Sequence, residues 1–128
     1  MDLKSIVFVG LGSFFGGSFR YVLSYVIDHK LESSFPWSIL AINALGSFLI
    51  GFATALFTVF AWGRGEPISL FVTVGMLGGF TTFSTFSLQT LKLLQAGQIA
   101  AAGLNVTLSI LVCLLFVFLG MKLGQSMA

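Results

Sequence analysis

Four apolar stretches, residues 6–27, 38–62, 68–94 and 99–123, take up nearly all of this 128-residue chain, and that arrangement leaves few folds open. A helix needs roughly 20 apolar residues to cross a bilayer, and each stretch is long enough. With 57% hydrophobic and 8% charged residues, the chain is too apolar for a soluble domain of its length. The reading is an all-α integral membrane protein with four transmembrane helices, forming one domain over residues 1–128. The formal charge of +2 is spread thinly, which argues against nucleic-acid binding or a polybasic lipid-binding patch. Cys113 is the single cysteine, so neither an internal disulfide nor a cysteine-based metal site can form.

The third stretch is the unusual one. Residues 75–87 read GMLGGFTTFSTFS and surround its midpoint, Thr81. Adjacent Gly78 and Gly79, followed by β-branched Thr81 and Thr82, weaken a helix locally, so a helix broken in mid-membrane is expected here. Such breaks are tolerated only where the freed backbone is buried in protein or lines a cavity, and half-helix ends there commonly face ions. On a helical wheel Thr81, Ser84 and Thr85 share one face, while Thr82, Phe83 and Phe86 lie on the other. The hydroxyls either bond back to carbonyls within the helix or serve a site.

Polar and small residues also mark the other spans. In the first, Gly12 with Gly16 and Ser13 with Gly17 form two small-xxx-small pairs that admit a close neighbour. Its GLGSFFG run lacks the preceding strand that a phosphate loop requires. No small-residue cleavage site follows the run, so the span is expected to be retained. Arg20 lies within this span near its end, beside Tyr21 and Tyr25, and either snorkels to the interface or attracts ions. Asn43, Ser47 and Gly51 fall at i, i+4 and i+8 on the second span, and Asn105, Ser109 and Cys113 do so on the fourth. An unpartnered buried amide costs roughly 2 to 7 kcal/mol, so Asn43 must either clasp another helix or face water. The connections are expected at residues 28–34, 63–66 and 92–98, with Pro36 and Trp37 opening the second span and Pro67 the third.

With four spans, Lys4, Arg64 and Lys122 fall toward one side and Arg20, Lys30 and Lys92 toward the other. The positive-inside rule needs an imbalance, and there is none. Insertion both ways up, with assembly as an antiparallel two-fold homodimer, is therefore expected. Tagging each terminus and probing its accessibility in spheroplasts tests this, and a single orientation would refute it.

The GGFTTFSTFS run, together with the GGSFRY segment at residues 16–21, resembles the small bacterial fluoride channels known as the Fluc or CrcB family, and the resemblance extends over nearly the whole chain. It implies a multi-pass protein of the bacterial inner membrane that conducts fluoride passively, with two pores per antiparallel dimer. It also implies that Phe83 and Phe86 present ring edges to fluoride, that Ser84 and Thr85 supply hydroxyl donors, and that Asn43 lies on the anion pathway. Ser109 and Cys113 would form a polar track, with Cys113 standing where the family often has a hydroxyl. Arg20 would face a vestibule. The carbonyls of Gly78 and Thr81, from both subunits, would hold a structural sodium ion.

Two other classes compete. A proton-coupled exporter needs a titratable group at depth, yet Asp2, Asp28, Glu32 and Glu66 all fall in termini or loops. A non-transporting assembly protein has no use for mid-membrane Thr, Ser and Asn43. An enzyme is not expected, because no general base, metal-ligand cluster or activated nucleophile is visible.

Overall fold

The computed structural model describes residues 1–61 and 66–128. Helix α1 (Leu3–Leu31) starts where the Asp2 carboxylate accepts from the Ser5 amide at 2.9 Å, satisfying one amide that a helix start leaves unpaired. The hydrogen bonds from Ser5 hold the exposed Asp2 carboxyl below its usual range. The apolar run predicts a loop from residue 28, but α1 continues through Leu31 and closes on Glu32 in left-handed conformation (φ 43°). His29 and Lys30 occupy that last turn, where cations suit the negative end of the helix dipole.

Helix α2 (Trp37–Val59) opens after Pro36, as expected, and stops three residues before the expected 62. The expected turn at 63–66 lies outside the described residues except for Glu66, and so does Arg64. Helix α3 (residues 67–80) begins with Pro67 in its first turn, where the missing N–H costs nothing. It is α-helical over Pro67–Leu70, π-helical over Phe71–Leu77 and α-helical again over Gly78–Phe80.

Thr81 (φ −80°, ψ 155°) and Thr82 (φ −152°, ψ 118°) are extended. Helix α4 (Phe83–Gln95) follows, then a turn through Gly97 (φ 76°), then α5 (Ile99–Ser126). The connection expected at 92–98 shortens to the turn after Gln95. Local geometry also differs from expectation at the glycine pair. Gly78 is helical (φ −64°, ψ −37°), Gly79 lies within the helical turn, and the extended residues are the threonines that follow. A Cβ on Gly79 would come within 2.9 Å of the Ser13 carbonyl, so this glycine serves close packing.

Four helical stretches, Leu3–Leu31, Trp37–Val59, Pro67–Gln95 and Ile99–Ser126, are long and apolar enough to cross a membrane. Two parallel pairs organise them. Gly12 and Gly16 of α1 abut the backbone of α3 at Phe71 and Met76, so residue numbers rise together along this seam. Gly120 of α5 meets α2 at Phe48 and Phe52, and Gly124 meets it at Phe52 and Ala55, with Gly51 of α2 against Val117 and Met121, so residue numbers again rise together along the second seam. Bare glycines admit the backbone-to-backbone approach that membrane helices use for packing. Of the two small pairs expected on α1, Gly12 and Gly16 are buried in the seam, whereas a Cβ on Gly17 would meet nothing within 4 Å.

The pairs join through buried Ile39, Ile42 and Phe80, with Leu23 and Phe86 packed against them. Outward faces stay apolar: only 11% of the α1 span and 17% of the last span are buried within the chain. That surface suits lipid or another copy, not water.

Candidate functional site

The site is built on the extended pair between α3 and α4. Asn43 of α2 clasps the backbone of Thr82 on both sides: Thr82 N–H donates to Asn43 Oδ1 at 2.8 Å, and Asn43 Nδ2 donates to the Thr82 carbonyl at 3.1 Å. The interhelical clasp is thus the structural role of Asn43, and the same residue lines a groove. Thr82 is buried, and its hydroxyl caps α4 by accepting from the Thr85 amide at 3.2 Å. It also donates to Thr85 Oγ1 at 3.1 Å and lies 3.3 Å from Ser84 Oγ. A continuous wheel puts Thr82 with the phenylalanines, about 160° from Ser84 though only about 60° from Thr85. Extended dihedrals at Thr81 and Thr82 break the 100° phase, so the three hydroxyls meet.

The clasp and the cap change the pairing of two carbonyls. In an unbroken helix the Gly78 carbonyl would accept from the Thr82 amide, and the Thr81 carbonyl from the Thr85 amide. Those amides donate instead to Asn43 Oδ1 and Thr82 Oγ1. Gly78 is exposed and Thr81 half-buried. The Thr81 side chain bonds back to the Leu77 carbonyl at 3.1 Å.

An open groove of about 300 Å³ runs beside this junction. Asn43 and Ser47 of α2, Thr81, Thr82, Phe83 and Phe86 of the junction, and Ser109 and Cys113 of α5 line it. The Phe83 and Phe86 rings lie 5.4 Å apart between centroids at 46°, and Phe83 is 78% exposed. Ser109 is buried and Cys113 half-buried.

The expected polar stripes therefore divide. Gly51 packs into the α2–α5 seam, and Asn105, 1% exposed, donates to Thr90 Oγ1 at 2.9 Å. Thr90 in turn donates to the Phe86 carbonyl at 2.8 Å, so Asn105 steadies the helix that carries Phe86. Asn105→Leu leaves Thr90 without its donor and is expected to lower stability by about 1–3 kcal/mol, read as a drop in the thermal midpoint of the detergent-solubilised protein.

Ser84 is exposed, Thr85 half-buried, and neither lines the groove; both are tied to it through Thr82. Arg20 is half-buried on α1, away from the groove walls. Because α1 runs on to Leu31, Arg20 lies about three turns from the helix end, against about two from the expected span end at residue 27. Sequence reasoning missed two residues. A helical wheel places Thr82 on the aromatic face, and the polar stripe on α2 passes over Gly46, although a Cβ there would land on the Thr81 methyl. Its signal was a small residue one turn beyond Asn43.

Residues 7–121 match the family model described as CrcB-like protein, Camphor Resistance (CrcB). The chain belongs to the CrcB family. All the groove residues, from Asn43 to Cys113, fall inside the matched segment. Three curated relatives bear the name Fluoride-specific ion channel FluC. The one from Elusimicrobium minutum is 48% identical over 124 residues, covering 96% of this chain and 95% of the relative. The one from Paramagnetospirillum magneticum is 51% identical over 115 residues, covering 88% of each. The one from Thermus thermophilus is 44% identical over 127 residues, covering 99% and 98%. This CrcB chain is a multi-pass membrane protein, and the four long apolar helices are its spans.

Proposed function

We propose that this CrcB protein is a passive, fluoride-selective channel of the bacterial inner membrane. The carrying observation is the groove, which gathers an amide, hydroxyls, a thiol and two phenylalanine rings from three helical stretches and has no carboxylate among its lining residues. A small anion holds its water tightly, so a narrow path must offer donors and positive ring edges to replace that shell. The names of the relatives support fluoride as the ion.

The acids argue against the proton-coupled alternative. Asp2 and Glu66 cap helix starts, Asp28 lies in the last turn of α1, and Glu32 caps its end. A negative-inside potential favours anion exit by about 2.3 kcal/mol per charge per 100 mV, so export needs no other energy source.

The proposed assembly is an antiparallel dual-topology homodimer with two pores, the third span being interrupted in mid-membrane at Thr81 and Thr82. Exposure of Phe83 beside an open groove supports a second copy as the missing wall. A sodium ion at the dimer centre fits the chemistry of the Gly78 and Thr81 carbonyls, whose helical amides donate elsewhere, since hard cations prefer oxygen ligands. Such an ion would offset the cost of exposed backbone carbonyls. Exchanging sodium for another monovalent cation during purification should weaken the dimer.

Proteoliposomes loaded with fluoride and read by a fluoride electrode test the channel, with chloride as control. Rapid release of fluoride alone is expected, and retained fluoride would refute the proposal. Arg20→Gln is expected to lower fluoride flux more than folding yield, as a vestibule cation would. Unchanged flux would leave Arg20 an anchoring role only.

A further inference from the structure

We propose that Thr82 is a positioning residue that sets the hydrogen-bond polarity of the pathway, acting through Asn43 and Thr85. The inference rests on the channel reading and goes beyond it by naming the group that turns donors toward the anion. The main chain of Thr82 offers a donor and an acceptor that cannot exchange roles. Its N–H must meet Asn43 Oδ1, 2.8 Å away, and its carbonyl must meet Asn43 Nδ2, 3.1 Å away. A flipped amide would set donor against donor and acceptor against acceptor. Asn43 Oδ1 is therefore held against Thr82, one Nδ2 proton is spent on the Thr82 carbonyl, and the second Nδ2 proton is left for the groove that Asn43 lines.

The side chain of Thr82 repeats the device one turn on. Its oxygen accepts from the Thr85 amide, and its single proton goes to Thr85 Oγ1. With that proton used, the 3.3 Å approach of Ser84 Oγ has Ser84 as donor. Thr85 Oγ1, already accepting, keeps its own proton for a further partner. Thr82 thus presents the Asn43 amide to the groove as a donor and leaves the Thr85 hydroxyl, on the helix beside the groove, with its proton free to give, the polarity an anion requires and a cation does not. Thr82 does not need to touch the ion to do so.

The test is a cycle of fluoride efflux measurements on reconstituted full-length protein. Thr82→Val keeps the β-branched shape but removes the hydroxyl, and is expected to slow efflux roughly fivefold, the equivalent of one hydrogen bond. Thr82→Ser restores both acceptor and donor and should recover most of the rate. The deciding arm is Thr82→Val in a Thr85→Val background, where the Thr85 amide still needs its cap but the hydroxyl to be oriented is gone. If Thr82 acts by orienting Thr85, the second substitution adds no further slowing. If the same slowing persists in that background, Thr82 is a helix cap only and the proposal fails. Wild-type efflux with no loss in Thr82→Val also overturns it, whereas absent wild-type efflux refutes the channel reading itself.

Discussion

Asn43→Leu is expected to abolish fluoride efflux and to lower stability by about 2–6 kcal/mol, because it strands two backbone groups at once. Thr82 is 8% exposed, and both its N–H and its carbonyl are met by the single Asn43 side chain. Leucine matches the bulk of asparagine but offers neither donor nor acceptor. In an extended segment surrounded by apolar helices no neighbouring turn supplies the missing partners, and water is scarce. The groove loses its amide donor in the same step. Efflux from proteoliposomes and the thermal midpoint in detergent measure the two effects separately. A variant with normal efflux and an unshifted midpoint would remove Asn43 from both the pathway and the scaffold.

Gly16→Val is expected to cost at least about 3 kcal/mol and to prevent recovery of a monodisperse protein. A Cβ at Gly16 would collide with the Met76 carbonyl oxygen and come within 2.8 Å of its carbon and 2.9 Å of the Phe80 amide. These are backbone atoms on a facing helix, so no rotamer change relieves the clash; α1 and α3 must separate. Gly17→Ala is the matched control, since a Cβ there meets nothing within 4 Å and alanine favours helix over glycine by about 1 kcal/mol. Size-exclusion profiles and thermal midpoints should show loss for the first and none for the second. Equal behaviour of the two variants would contradict the α1–α3 seam.

The class of the protein and its four spans were legible in the chain because a bilayer imposes a length and a composition that local sequence must meet. The helix ends were less so. Polar turns such as residues 28–31 and Gln95 continue helices beyond the apolar runs, since leaving the hydrocarbon does not oblige a helix to stop. The polar stripes on α2 and α5 were also visible. Their division was not: Asn105 and Gly51 build seams, whereas Asn43, Ser47, Ser109 and Cys113 face the groove.

Composition and periodicity by themselves determined a membrane-embedded helical chain with amide, hydroxyl and aromatic groups at depth. Only the tertiary structure decided which of those groups meet. Asn43 and Thr82 are 39 residues apart, a distance over which no local pattern specifies a partner. The extended dihedrals of Thr81 and Thr82 shift every later residue to a new face. A helical wheel assumes one uninterrupted rotation, so where the backbone leaves that rotation, neighbours in space follow from packing and hydrogen bonding alone.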